Sequence, residues 1–168
     1  MTQCHQQKIR LVGLVGPTAA GKSLLAIKLA LKLNAEIITA DSAQIYRYLD
    51  IGTAKPGRRE QQLVRHHLID LVDPDQQFSV ADYQAAAYQT ISEVAARGKL
   101  PLLVGGTGLY VNAVIDRYAF VAGGKNEQLR QHLLMEARSG GLEPLYRRLE
   151  QVDPRAAEKI HPRDQRRI

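Results

Sequence analysis

An apolar, β-compatible run from Ile9 to Val15 leads into Gly16-Pro17-Thr18-Ala19-Ala20-Gly21-Lys22-Ser23, and a lysine-punctuated apolar stretch, Leu24 to Leu33, follows directly. The octapeptide fits G-x-x-x-x-G-K-[ST], and both flanks fit the strand and the helix that this loop needs. In that setting the backbone N–H groups converge on phosphate oxygens, and the helix N-terminus adds a partial positive charge. Residues Gly16, Pro17, Thr18, Ala19, Ala20, Gly21, Lys22 and Ser23 are therefore expected to hold a di- or triphosphate. Lys22 would neutralise the terminal phosphates, and the Ser23 hydroxyl would ligate Mg2+.

Further along, short apolar runs alternate with helical patterns. Residues 35–39 read as a strand ending at Asp41, and His67 to Val72 as another, closed by Asp73-Pro74. Ser79 is a natural N-cap, with Asp82 at the capping-box position and Phe78 and Tyr83 placed as a hydrophobic staple. The helix it opens keeps apolar spacing from Val80 to Ala95, and Gly98 closes it. Leu100 to Val104 is a wholly apolar strand feeding Gly105-Gly106-Thr107-Gly108. Strands of this kind imply an α/β fold with a parallel sheet covered by helices on both faces. Ligands of such folds lie at the carboxyl ends of the strands. The Gly16–Ser23 loop, Asp41-Ser42, the Asp70 to Asp73 region and Gly105 to Gly108 are thus expected to share one cleft.

After Tyr110 the pattern becomes helical only. Asn126 opens a helix running to about Ser139, Leu142 to Val152 suggest a second, and Asp153-Pro154 begins a third that His161-Pro162 ends. The expected organisation is an α/β core over residues 1–115 and a partial helical appendage over 116–168.

With 168 residues, the chain suffices for one domain with a real core. No apolar run approaches the ~20 residues of a membrane span, and Met1 to Lys8 lacks a signal-peptide core. Its lone cysteine, Cys4, excludes an internal disulfide framework and lies in a probable tail, which argues against catalysis. A cytoplasmic location is the expectation. The net charge of +6 favours a polyanionic partner. Between Arg147 and Ile168 stand seven basic and four acidic residues, a pattern equally suited to RNA contact and to a solvated helical face.

Asp41 follows its strand directly and suits three roles: magnesium ligand, helix N-cap, or base aimed at something bound near the phosphates. Gln44 offers an amide able to read a purine edge, and Tyr46 and Arg47 a base stack or a phosphate contact. His66 and His67 point to opposite faces of a strand, so structural or polar-contact roles are favoured over a shared metal. A simple ATPase would end a strand in a magnesium-shell aspartate. Leu100 to Val104 ends in Gly-Gly-Thr instead.

Taken together, these residues resemble the tRNA dimethylallyltransferase (isopentenyltransferase) family. The resemblance rests on Gly16 to Ser23, Asp41-Ser42-Ala43-Gln44-Ile45-Tyr46, Asp50 to Pro56, His66 to Asp70, Phe78 to Tyr83, Leu103 to Tyr110, and His161 to Asp164 with Arg166-Arg167. It implies a P-loop NTPase-like sheet and transfer of a dimethylallyl group from its diphosphate to N6 of the adenosine 3′ of the anticodon in tRNA. It also implies catalytic roles for Asp41, as general base, and for Thr107. Thr18 and Thr107 match positions that line the reacting cleft or contact the target nucleotide. Asp41, Ser42, Ala43, Gln44, Thr107, Arg130, Arg166 and Arg167 match tRNA-contacting positions. The implied partners are tRNA and dimethylallyl diphosphate, with Mg2+ at Ser23, no membrane, and a monomeric chain. Family members continue past the equivalent of Ile168, so an incomplete core with exposed apolar surface is expected. Rival readings are a P-loop kinase of a small metabolite or nucleotide, an adenylate-prenylating enzyme, and an inactive RNA- or nucleotide-binding fragment.

Replacing Arg166 and Arg167 with Ala is expected to weaken tRNA binding and flatten the slope of log affinity against log salt. An unchanged slope, read by filter binding across a salt series, would leave these arginines as surface only.

Overall fold

In the computed structural model, residues 9–120 and 126–168 are described; Cys4 lies outside them. The chain divides into two compact units, Met1–Ala119 and Phe120–Ile168. The first is an α/β unit with strands β1 (Val12–Val15), β2 (Ala35–Ala40), β3 (His66–His67) and β4 (Leu100–Gly105). Its helices are α1 (Lys22–Leu33), α2 (Arg58–Leu63), α3 (Val80–Ala96) and α4 (Gly108–Ile115). The strands form one parallel sheet in the order β1-β4-β2-β3.

Strand alternation sorts the core into two layers. Ile37, Leu102 and Val104 pack with Ala26, Ile27 and Ala30 of α1. Ile38, Ala40 and Leu103 pack with Tyr83, Ala87 and Ile91 of α3 and with Tyr110, Val111 and Val114 of α4. Each Leu or Ile so buried contributes about 1.5–3 kcal/mol. The rings of Tyr83 and Tyr110 stack with centroids 4.0 Å apart, and the Tyr83 hydroxyl donates to Thr39 O at 3.0 Å. That bond ties α3 to β2.

Pro101 lies inside β4 yet costs the sheet nothing. Leu100 N donates towards β2, to Asn34 O, so the next nitrogen faces β1, whose pairing begins only at Leu102. The missing donor falls where no partner strand stands.

The capping box opens α3 as expected, Ser79 accepting from Asp82 N and Asp82 returning to Ser79 N. The run His67 to Val72 does not form a strand. Leu68 and Asp70 adopt left-handed backbone, φ 60° and 53°, so pairing stops after His67. Beyond it, Asp70 N and Leu71 N donate to Gln44 O and Ile45 O, and Val72 bridges Tyr46. Two helices, α2 and α4, have no counterpart in the sequence pattern. The eight residues of α4 are mostly apolar, Asn112 being the polar exception, and give little amphipathic contrast.

The outer edge of β1 pairs with no other strand among the described residues. Val15 is 55% exposed, and Leu24 and Leu25 at the start of α1 are exposed beside it. This apolar composition belongs to a strand covered on both faces.

The second unit holds α5 (Glu127–Gly140), α6 (Glu143–Val152) and α7 (Pro154–Ala157). Asn126 and Asp153 cap α5 and α7 with their side chains. Ala157 is the only buried residue of this unit among those described. No described helix is long and apolar enough to cross a membrane.

At the amino ends of the strands Glu36, 3% exposed, receives His67 Nε2 and Arg97 Nη2, each at 2.6 Å. Burial alone would raise its pKa; the hydrogen bonds from Arg97 and His67 outweigh that and hold it down at about 2, against 4.5 unperturbed. A depressed carboxylate stabilises the fold above its unfolded pKa. On the order of 3 kcal/mol should therefore be lost as pH falls from about 4.5 to about 2. Chemical denaturation of wild type and Glu36→Gln over this range checks it: the variant should lack this acid-dependent component.

Candidate active site

Register places the strand ends at one level. Val15 lies opposite Gly105, and Gly105 opposite Ala40, so Gly16, Gly106 and Asp41 leave the sheet side by side. Gly105 is required there. A Cβ at this position would sit 2.0 Å from Ala40 O, inside the backbone itself. Its absence lets Thr107 N donate to Ala40 O at 3.2 Å. One on Gly106 would lie 3.4 Å from Gly16 O and 3.9 Å from Lys22 Nζ.

These termini open a cleft of about 410 Å³. Thr18 to Ser23 form one wall and Gly105-Gly106 the floor, while Asp41, Gln44, Thr53, Ala54 and Pro56 face them. The loop turns through left-handed backbone at Ala19 and Gly21, φ 66° and 76°. Lys22 folds back, its Nζ donating to Pro17 O. Ser23 stands exposed in the first turn of α1.

Asp41 closes a turn and keeps a free oxygen. Its Oδ1 accepts from Ala43 N at 2.9 Å and from Gln44 N at 3.4 Å, while Oδ2 has no partner among the described residues. No helix follows, so the capping role reduces to this turn. Thr107 Oγ1 accepts from Ser42 N at 3.0 Å and meets Ser42 Oγ at 3.4 Å. It stitches the Asp41 turn to the end of β4. Ser42, Ala43 and Thr107 do not line the cleft themselves. Gln44 does, but its Nε2 is committed to Thr53 O and Ala54 O at 2.9 and 3.1 Å. Its amide carbonyl is left as an acceptor.

The Asp70 to Asp73 region stands outside the cleft. Arg47 is spent on it, bonding to Asp70 O, Leu71 O and the Asp73 carboxylate, so Arg47 is not available for phosphate. His66, for which the sequence favours a structural or polar-contact role, lines the cleft. Nδ1 must donate to Val64 O at 2.8 Å, and burial lowers its pKa, leaving a neutral ring with Nε2 as an acceptor. Only β3 pairing, which turns His67 to Glu36 and His66 away, could have revealed this. Burial raises the pKa of the Tyr110 hydroxyl, with the negative fields of Tyr46, Asp82 and Asp41 adding to it.

The described residues contain no cluster of three or more His, Cys, Asp or Glu able to cage a metal. Two carboxylates, Asp41 and Glu60, and the exposed hydroxyls of Thr18 and Ser23 border the cleft. Such a sparse donor set suits magnesium, which keeps several waters and takes its remaining ligands from phosphates. In the second unit Arg130 and Arg166 line a groove of about 710 Å³ floored by leucines. Arg167 pairs with Asp164 at 3.4 Å.

The parallel sheet, the glycine-bounded loop at the first strand end and the facing carboxylate define a P-loop NTPase-like α/β protein. Comparison with known proteins narrows the class. The family model for IPP transferase matches residues 44–168, and the chain belongs to that family. It is 54% identical over 163 residues to the tRNA dimethylallyltransferase of Moorella thermoacetica, covering 94% of this chain and 50% of the relative. The corresponding protein of a Thermoanaerobacter species is 49% identical over 160 residues, with 95% and 51% covered. Among solved structures, the tRNA isopentenylpyrophosphate transferase of Bacillus halodurans aligns with TM-score 0.67 at 49% identity, covering 95% of this chain and 53% of its own. A eukaryotic dimethylallyltransferase acting on tRNA aligns with TM-score 0.82 at 32% identity, with 96% and 40% covered. The chain spans about half the length of the curated relatives it matches.

Lys22→Met should weaken inorganic pyrophosphate binding by about 10- to 100-fold, the equivalent of losing a charged hydrogen bond of about 1.5–3 kcal/mol. Titration calorimetry measures this, and an unchanged affinity would remove Lys22 from the site.

Proposed function

We propose that this chain carries the catalytic half of a tRNA dimethylallyltransferase, which moves a dimethylallyl group from its diphosphate to N6 of the adenosine 3′ of the anticodon. The observation that carries the reading is the free Oδ2 of Asp41, set across one cleft from the Gly16–Ser23 loop. Supporting it are the family membership and relatives named for this reaction.

The chemistry follows from that opposition. The loop amides and Lys22 hold the diphosphate of the donor. As its C1–O bond breaks, both electrons pass to the leaving diphosphate, whose growing charge the same amides and Lys22 stabilise. Ser23 would hold magnesium, which would supply Lewis-acid stabilisation of the leaving diphosphate when bound. The lone pair of N6 forms the new N–C bond at C1, and Asp41 Oδ2 takes the proton that N6 must lose. Thr107 holds the Asp41-Ser42 turn in place. A base stacked in a duplex cannot enter a cleft of this size, so an unstacked loop adenosine is the suitable acceptor. Arg130, Arg166 and Arg167 supply positive charge for the RNA backbone.

Incubation with labelled dimethylallyl diphosphate, ATP and unmodified tRNA tests the reading. Label appearing on tRNA supports it. ADP formation would favour a kinase, transfer to AMP an adenylate-prenylating enzyme, and binding without turnover an inactive fragment. Asp41→Ala should lower turnover by at least about a hundredfold, the lower bound for a general base, with pyrophosphate affinity retained.

A further inference from the structure

Gln44, Ala54, Lys55 and Asp70 close a ring. Asp70 N donates to Gln44 O at 3.1 Å; Asp70 Oδ1 accepts from Lys55 Nζ at 2.7 Å; Ala54, next in chain to Lys55, accepts at its carbonyl from Gln44 Nε2 at 3.1 Å. Lys55 Nζ also donates to Tyr46 O at 2.8 Å and to Asp50 Oδ1 at 2.9 Å. The Lys55 side chain is only 4% exposed, although it bears the one charge in the segment from Ile51 to Gly57.

We propose that Lys55 is a positioning residue: through this ring it holds the 50–56 loop against the Asp41–Arg47 turn and fixes the Gln44 amide so that its carbonyl, not its NH2, is offered to the cleft. The inference rests on the prenyl-transfer reading only for its kinetic consequence; the amide orientation stands apart from it.

Three observations favour positioning over simple cross-bracing. The loop is strained at Ala54, φ 52°, and the chain entering it at Tyr48, φ 64°, and such conformations persist only where surrounding contacts impose them. It has little apolar anchorage, since Ile51 is 97% exposed. And its walls reach the site, because Thr53, Ala54 and Pro56 line the cleft while Lys55 does not. Burial would discharge the ammonium, but Asp70 and Asp50 more than offset this and raise its pKa above the usual lysine value.

With both Gln44 donors engaged by Thr53 O and Ala54 O, the wall beside Asp41 presents two acceptors, the amide carbonyl and the carboxylate. An exocyclic amine, with two hydrogens to give, suits such a pair; a carbonyl in its place would meet two acceptors. Without Lys55 the loop carbonyls move and the amide is free to turn.

The test compares Lys55→Met with wild type in the whole chain, by two readouts. In 15N NMR the Gln44 side-chain amide, assigned with Gln44→Leu, should lose its protection from exchange in Lys55→Met, while the response of the Gly16–Ser23 amides to inorganic pyrophosphate persists. In prenyl transfer kcat should fall at least tenfold, with KM for dimethylallyl diphosphate within about twofold. The double variant Lys55→Met with Asp70→Asn removes the stranded charge and is read in the same way should the single variant fail to fold. Unchanged Gln44 exchange, or parallel loss of fold, pyrophosphate response and turnover in the double variant, overturns the proposal. Absence of transfer by wild type sinks the prenyl-transfer reading while the exchange readout still decides the role of Lys55.

Discussion

Everything in the first unit depends on backbone meeting backbone where β2 and β4 end. Ala40 O lies where a side chain on residue 105 would begin, so glycine alone permits the approach. That contact brings Thr107 onto Ala40 O and Ser42, and it sets Asp41 beside the loop that leaves β1. No charge or metal is involved. The opposition of the Gly16–Ser23 loop and the Asp41 carboxylate is built from strand register and one missing methyl group.

Around that contact the polar groups divide between the two ends of the sheet. At the amino ends, Glu36 is held in place, its Oε2 bonded to His67 and Arg97 and its Oε1 3.7 Å from Lys99 Nζ, and its contribution is to stability. At the carboxyl ends, groups are deliberately left incomplete: Asp41 keeps one oxygen free and Gln44 one carbonyl. Buried polar networks stabilise when satisfied; the unsatisfied valences face the cleft, where a ligand can complete them. The Lys55 ring lies between these extremes, closed itself yet holding an open group in place.

Much of the fold was legible because the chain writes its local signals strongly. The Ser79 and Asn126 caps, the apolar strands β2 and β4 and the helix after Lys22 all stand where pattern places them. The failures have physical causes. His67 to Val72 has strand composition, but left-handed backbone at Leu68 and Asp70 breaks it, and only the pairing of 70–72 with Gln44 to Tyr46 makes that conformation worthwhile. Arg47 looks like a phosphate ligand until its three bonds to 70–73 are seen. His66 looks structural until β3 turns it into the cleft. In each case the deciding partner is more than twenty residues away in sequence.

By themselves the residues specified the class of fold, the glycine-bounded loop after the first strand, the carboxylate after the second strand and the family, since each is a local string that needs no distant partner. Tertiary structure alone decided which oxygen of Asp41 stays free, which way the Gln44 amide points, and that Lys55 is buried. Those outcomes depend on where carbonyls from separate loops fall around one side chain. Such placement follows from strand register and packing, which no local pattern encodes.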